Sequence, residues 1–243
     1  MHQETRDRVA SHRIAILAPM RIELRPLVTP LGLGRSRGLE PEFLWGSAGR
    51  IEVVAALTGV GMLAGAQRAA QILDATSPDH LIVVGIAGGI GEGVSVGDLI
   101  VPDRVLNVDT GEILRPAPLG DRPQRGTLAS SDALLEAPEE AERLMMQGVV
   151  AIDMETAAIA AVCELRACPC SVFRAISDRA DNGTTDAAVL ALVDSNGDTN
   201  LVSVARFVLK RPRRIPQLIR LGRGANAAAR AAAGAVTAAL ESL

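Results

Sequence analysis

The sequence predicts an α/β protein: a sheet with helices on both faces. Short apolar runs recur along the chain, "RIAILA" at 13–18, "HLIVVGIAGG" at 80–89 and "PCSVFRAIS" at 169–177, and each is of strand length. Segments with helical apolar spacing lie between them, and strands that alternate with helices build a sheet covered on both sides. The core material is aliphatic: 48% of the 243 residues are hydrophobic, but aromatics make up 2% and tyrosine is absent. Such a chain fills one large domain or two small ones with Ala, Val, Leu and Ile.

The elements follow in order. "RIAILA" reads as a buried strand, and after Pro19 "MRIELRPLV" has helical spacing. "FLWGSA" and "IEVVAAL" read as a hairpin turning near Gly49. "GMLAGAQRAAQILDA" is a helix closed by Ser77-Pro78, and "HLIVVGIAGG" is a central strand running into glycines. "GDLIVPDRVLNVD" reads as one strand with a bulge at Pro102, followed by a loop from Thr110 to Arg125. A helix around Pro138 to Met146 comes next. "VVAIDMETAAIAAVC" reads as a strand end opening into a helix, and "PCSVFRAIS" as a strand. From Thr199 the pattern is helical. We divide the chain into a disordered arm (1–12), a main domain (13–198) and a basic helical C-terminal extension packed on that domain (199–243).

Composition narrows the function. A net charge of −3 gives no general bias toward polyanions, so no nucleic-acid partner is expected. The first twelve residues are polar and carry no secretory h-region, and "LIVVGIAGGIG" is too short and too rich in glycine to span a membrane. Cys163, Cys168 and Cys170 form no zinc-type pair and read as reduced, buried thiols of a cytoplasmic protein. No metal site is expected.

Three motifs remain. "LTGVGMLAGA" satisfies a dinucleotide fingerprint through Gly59, Gly61 and Ala64, but that fingerprint belongs to the first strand of its unit and needs an acid ending the next strand. Here the next strand ends in "GIAGG", so tight helix–strand packing is the better reading. Glycines 85, 88, 89, 91 and 93 let backbone come close to a ligand or to a neighbouring helix. The third motif is a set of acids. Glu23 follows the first strand, Asp153 and Glu155 flank Met154 at the mouth of an apolar helix, and Asp178 ends an apolar strand after Ser177. A capping role would account for Asp153 but not for both acids of that pair. Acids at the ends of three different strands can converge in one crevice, which is where α/β sheets bind ligands.

With these residues in place, the chain from about Arg13 to Asp181 resembles the nucleoside phosphorylase and nucleosidase superfamily. The resemblance is carried by "IAILAPMRIEL", "TGVGMLAGAQRAAQIL", "GIAGGIGEGVSVGDLIVPD", "AIDMETAAIAAVC" and "FRAISDRAD". Within the superfamily it is nearest the 5'-methylthioadenosine/S-adenosylhomocysteine nucleosidases. The resemblance implies a three-layer α/β/α fold around a mixed, partly closed sheet, and cleavage of a purine N-ribosidic bond without a cofactor. It implies that Glu23 orients the attacking water and that Asp178, beside Ser177, hydrogen-bonds or protonates purine N7. Glu155 with Met154 holds the ribose hydroxyls, and Asp153, Ile86, Ala87, Gly88 and Leu134 complete the binding surface.

Several positions depart from the family pattern. Ile86 stands where the nucleosidases usually have Ser, and Leu134 where an aromatic covers the adenine. The shortened segment "VLNVDTGEILRP" carries no aromatic for the 5' side of the sugar. A phosphorylase needs cations on its phosphate, and "DHLIVVGIAGG" has no Arg at that position, so hydrolysis is expected over phosphorolysis. A non-catalytic nucleoside-binding protein is the remaining alternative. The family implies a homodimer or larger homo-oligomer. From Leu201 the chain carries eight basic residues and a single acid, Glu241. That tail resembles the hopanoid-associated branch, which acts on the lipid-linked nucleoside adenosylhopane. It implies peripheral contact with anionic lipid at the inner face of the membrane.

Overall fold

The computed structural model describes residues 12–35, 43–133, 135, 137–180 and 215–243. Strand β1 (Arg13–Ala18) leads into α1 (Arg21–Val28). A meander follows, β2 (Gly34–Arg35), β3 (Leu44–Ala48) and β4 (Ile51–Leu57), with Gly49 in the left-handed conformation at the β3–β4 turn. Then come α2 (Met62–Thr76) and the long strand β5 (His80–Gly89). Four short strands precede α3 (Pro138–Met146): β6 (Leu99–Ile100), β7 (Arg104–Asn107), β8 (Ile113–Leu114) and β9 (Thr127–Ser130). The order ends with β10 (Val149–Asp153), α4 (Thr156–Leu165), β11 (Cys170–Arg179) and α5 (Ile215–Glu241).

The sheet is mixed, in the order β2-β3-β4-β1-β5-β10-β9-β7-β8, with β11 paired to β5 and β6 to β11. Its described strands form an open sheet, whereas the resemblance implied a partly closed one: β2 and β8 end the order and do not pair with each other. Strand alternation sorts the core onto two faces. Ala15, Leu17, Leu81 and Val83 point to the face covered by α2 and α4, where they meet Ile72, Ile159 and Cys163. Ile14, Ile16, Ile82 and Val84 point to the face covered by α1 and α5, against Leu24, Leu27, Ala232 and Val236. The alanine-rich stripe of α5 is therefore a wall of the core, and its small side chains let the helix lie close to the sheet.

The run at 97–109 is two strands. β6 pairs with β11, whereas β7 pairs with β8 and β9, so the chain crosses from one arm of the sheet to another through Val101–Asp103. Pro102 has no N–H and cannot carry a ladder across this point. The stretch expected to be loop carries β8, which turns back on β7 through Gly111 at φ 75°.

The fork at β5 positions the site. β1 pairs with β5 only as far as Leu17 opposite Val83, and β10 pairs with it from Ile152 opposite Gly88. Between them, residues 84–87 lack a neighbour strand on that side among the described residues, while β11 pairs with them on the other side from Phe173 to Ile176, just before its register shifts at Ser177. Main-chain groups of β5 are open there, and buried polar groups need partners.

Candidate active site

The gap in the sheet is filled by side chains from three elements. Glu23, in the first turn of α1, is 1% exposed. Its Oε1 accepts the Ile86 N–H at 2.8 Å and its Oε2 accepts the Met20 N–H at 2.7 Å. The second bond closes the head of α1, so the helix start aims the acid. Arg174, midway along β11, is fully buried. Its Nη1 lies 3.5 Å from Glu23 Oε1 and donates to the Ile86 carbonyl at 3.4 Å. Its Nη2 reaches Asp153 Oδ2 at 2.5 Å and Glu155 Oε2 at 3.3 Å. Gly85 makes room for this approach, because a Cβ there would overlap both Glu23 Oε1 and Arg174 Nη1.

Glu155 sits where β10 passes into α4, and its Oε1 accepts the Gly61 N–H at 3.0 Å. Gly61 has φ 109°, outside the range of ordinary side chains, and opens α2. The neighbouring Met62 N–H is taken by Asp132 Oδ1 at 2.8 Å. Glu155 at the head of α4 and Asp132 in the bend after β9 thus close the N-terminus of α2. At the end of β11, the Ser177 hydroxyl donates to Asp178 Oδ1 at 2.5 Å, which fixes that carboxylate beside the fork.

Electrostatically the centre is one guanidinium among three carboxylates. Burial works against the charge of Arg174, but Asp153, Glu155 and Glu23 outweigh it and keep the group protonated. Burial pushes Glu23 up to about 7, against the opposing pull of Arg174 and the two N–H groups. Glu155 is raised to about 8 by burial and by the Asp153 charge. The centre holds protons at neutral pH and can release them over a narrow range.

The sequence-predicted residues fall into place unevenly. Glu23, Glu155 and Asp153 meet around Arg174, and Asp178 with Ser177 lies farther along the same strand. Met154 is half-buried between the two acids. Ile86 takes part through its main chain, the Ala87 carbonyl lies 3.4 Å from the Ser177 hydroxyl oxygen, and Gly88 packs against Ala180. Leu134 and Asp181 lie outside the described residues. Asp153, expected on the binding surface, has its carboxylate turned inward, onto Ser130, Thr156 and Arg174. Arg174 itself was missed. A lone arginine inside the apolar run "CSVFRAIS" was the available signal, since a buried guanidinium demands buried acids.

Comparison with known proteins decides the family. A family model described as "Phosphorylase superfamily" matches residues 13–118 and 112–210. The chain belongs to the phosphorylase superfamily. Among curated relatives, the 5'-methylthioadenosine/S-adenosylhomocysteine nucleosidase of Chromohalobacter salexigens is 28% identical over 197 residues, 68% of this chain and 84% of that protein. The Thermotoga maritima protein of the same name is 30% identical over 168 residues, 62% of this chain and 77% of its own. Two solved Helicobacter pylori structures share the fold at 18% identity. These are a 5'-methylthioadenosine/S-adenosylhomocysteine nucleosidase with a TM-score of 0.73 and a futalosine hydrolase with a TM-score of 0.72. Each is matched over 96% of this chain and 99% of its own. Coverage of that extent includes α5 in the shared fold. Among the described residues, no three His, Cys, Asp or Glu side chains are grouped to hold a metal. No described helix is long and apolar enough to cross a membrane.

Proposed function

We propose that this protein is a purine nucleosidase that hydrolyses the N-ribosidic bond of a 5'-modified adenosine and releases adenine. The observation that carries this reading is the pair Glu23 and Glu155 held on either side of one buried guanidinium, with Asp178 farther along the same strand. A general base for water is most effective when its pKa lies near the working pH, and Glu23 is pushed up to about 7. In the reaction the C1'–N9 bond breaks with its electrons passing to the purine, and Asp178 supplies the hydrogen bond or proton at N7. Water oxygen bonds to C1' and its proton passes to Glu23. Glu155 with Met154 holds the ribose hydroxyls. The positive charge that develops on the sugar favours the ionised form of the Glu155 carboxyl, so this acid stabilises the transition state more than the ground state.

The same geometry favours water over phosphate. The cation that an anion would need, Arg174, is already paired with Asp153 and flanked by Glu23 and Glu155, and Arg21 and Arg25 on α1 are exposed. The curated relatives named above, all nucleosidases, support the same choice. Adenine release measured with and without phosphate tests it. Release independent of phosphate, with free ribose derivative as the second product, is expected; strict phosphate dependence with a ribose-1-phosphate product overturns it.

The 5' substituent is the finer part of the proposal. We assign it a bulky apolar group presented at a membrane surface, with the active enzyme a homo-oligomer. In support, the first turns of α5 carry exposed Arg220 and Arg223 beside half-exposed Ile219. At Gly224 this helix runs so close to the Ser177 carbonyl that a Cβ would collide with it. A basic, partly apolar surface thus adjoins the strand end bearing Asp178. Co-sedimentation with anionic vesicles at low salt, and faster turnover of a 5'-alkyl adenosine than of methylthioadenosine, are expected. Absence of both returns the substrate to the soluble thioethers.

A further inference from the structure

The three acids around Arg174 are not equivalent. Asp153 ends β10 opposite Ser130 of β9, and both of its oxygens are saturated by protein donors. Oδ1 accepts the Ser130 hydroxyl at 2.5 Å and the Thr156 N–H at 3.3 Å. Oδ2 accepts the Thr156 hydroxyl in a very short bond and Arg174 Nη2 at 2.5 Å. A carboxylate offers about four acceptor directions, and all are used. Nothing is left for a sugar hydroxyl. Glu155, by contrast, has one main-chain donor and a long contact to Arg174, and Glu23 has two main-chain donors and a longer one.

The Arg174–Asp153 contact is the shortest of the three ion pairs, 2.5 Å against 3.3 and 3.5 Å. Thr156 reinforces it from the other side. Its hydroxyl gives its proton to Asp153 and accepts from Arg174 Nη2 at 3.0 Å and Nε at 3.3 Å. Asp153, Thr156 and Arg174 close a ring of side-chain bonds that fixes the plane of the guanidinium.

We infer that Asp153 is a positioning residue: it anchors Arg174 between Glu23 and Glu155 and does not touch the nucleoside. Its fixed charge has a second effect. Burial is the main reason Glu23 and Glu155 hold their protons, and the tight pairing of Arg174 with Asp153 weakens the cation's opposing pull on them. The charged and titratable groups around Arg174 are Glu23 from α1, Glu155 at the head of α4 and Asp153 from β10. Among the described residues, β5 offers main-chain groups and β9 the Ser130 hydroxyl, and Asp178 is farther along β11. Without the Asp153 charge, Arg174 would pull harder on both acids, so Glu23 would titrate lower and become a weaker base, although burial would still hold it above the usual carboxylate range.

This inference rests on the nucleosidase reading, and the test separates the two. For Asp153→Asn, kcat should fall more than about tenfold with KM changed less than about threefold, and the acid limb of kcat/KM should move to lower pH. Asp153→Glu should return the limb toward its wild-type position. A raised KM with an unmoved limb would make Asp153 a sugar ligand and overturn the inference. Ser130→Ala, which keeps every charge and removes one tether, should also lower kcat at constant KM, and provides the answer if Asp153→Asn does not fold. Carboxyl NMR titration of the unliganded protein needs no turnover. Glu23 should titrate lower in Asp153→Asn, or in Asp153→Ala if the amide does not fold. An unshifted Glu23 defeats this inference alone, whereas a wild type that releases no adenine defeats the nucleosidase reading alone.

Discussion

β5 and β11 run side by side for ten residues each and bury polar groups at both ends, with opposite solutions. From mid-strand toward the carboxyl end lies Arg174 with its three acids. At the amino end His80 Nε2 and Ser171 Oγ are 2.7 Å apart, and the Ser171 hydroxyl donates to the Ala117 carbonyl at 2.7 Å. Ser171 has a single proton and spends it on Ala117, so His80 is the donor to Ser171. Burial keeps His80 neutral by lowering its pKa to about 4, aided by His12. The amino end is a neutral, fully matched chain of bonds that ties β5, β11 and the 114–119 loop together. The carboxyl end keeps charges buried and two acids poised near neutrality. One end serves the fold and the other serves chemistry, and substitutions should separate the two.

The largest effect should come from Arg174→Met. It leaves three carboxyls buried without their cation, and breaking a buried ion pair from one side costs about 3–5 kcal/mol. For a chain of this size the melting temperature should fall by roughly 10 °C at pH 8, and by less at pH 5, where the acids can take up protons. A melting temperature unchanged at both pH values would mean that the cluster does not hold its charges as the structure shows.

Next come the reacting acids. Glu23→Gln and Asp178→Asn should each lose at least about a hundredfold in rate, the scale of general acid–base catalysis. Melting temperature should change little for Asp178→Asn, which is half-buried at the strand end. In the wild type, kcat/KM should fall as pH drops through about 7, because Glu23 must be ionised to accept a proton from water. An acid limb near pH 4.5 would show that the burial of Glu23 is relieved in solution.

The contrast between the two ends was partly legible in the sequence. β1, β5 and β11 announce themselves because strands buried on both faces are continuous apolar runs. Glu23, Glu155 and Asp178 were findable because each follows or interrupts such a run. Arg174 stood out only as a lone charge inside such a run, and its partners were hidden because they are acids distant in sequence, gathered by the gap between β1 and β10. The capture of Asp153 by Ser130 has the same cause, because β9 is four residues of Thr, Leu, Ala and Ser with no period to read. The split at Pro102 was misread as a bulge because both halves are strand-like, and only their pairing partners differ.

Glu155→Gln should stabilise the protein, with a sign that depends on pH. In the unfolded chain this carboxyl ionises near 4.5, and in the folded one only near 8. The folded form therefore holds a proton that the unfolded form has lost, and wild-type stability drains away as pH rises from 4.5 to about 8. Glutamine has no proton to lose. The melting temperature of the variant should match the wild type near pH 5 and exceed it by several degrees at pH 8.5. A constant offset at all pH values would assign the effect to packing.

The smallest effect belongs to the amino end, and it should leave catalysis untouched. Ser171→Ala removes the acceptor for His80 and the donor for Ala117, costing about 1–3 kcal/mol for the buried groups left unmatched. Its pH dependence runs opposite to that of Glu155. His80 is lowered to about 4 in the folded protein and titrates near 6.5 when unfolded, so its contribution is complete above pH 6.5 and is lost as pH falls toward 4. Ser171→Ala should lower the melting temperature by a few degrees at pH 7.5, with kcat and KM within about twofold of wild type. With its bond to Ser171 gone and water admitted, His80 should protonate at higher pH, so part of the stability loss on acidification should disappear. If the same variant shifted the acid limb of kcat/KM, the two ends of the strand pair would be coupled through β5 and β11, and the division between a structural and a chemical end would not hold.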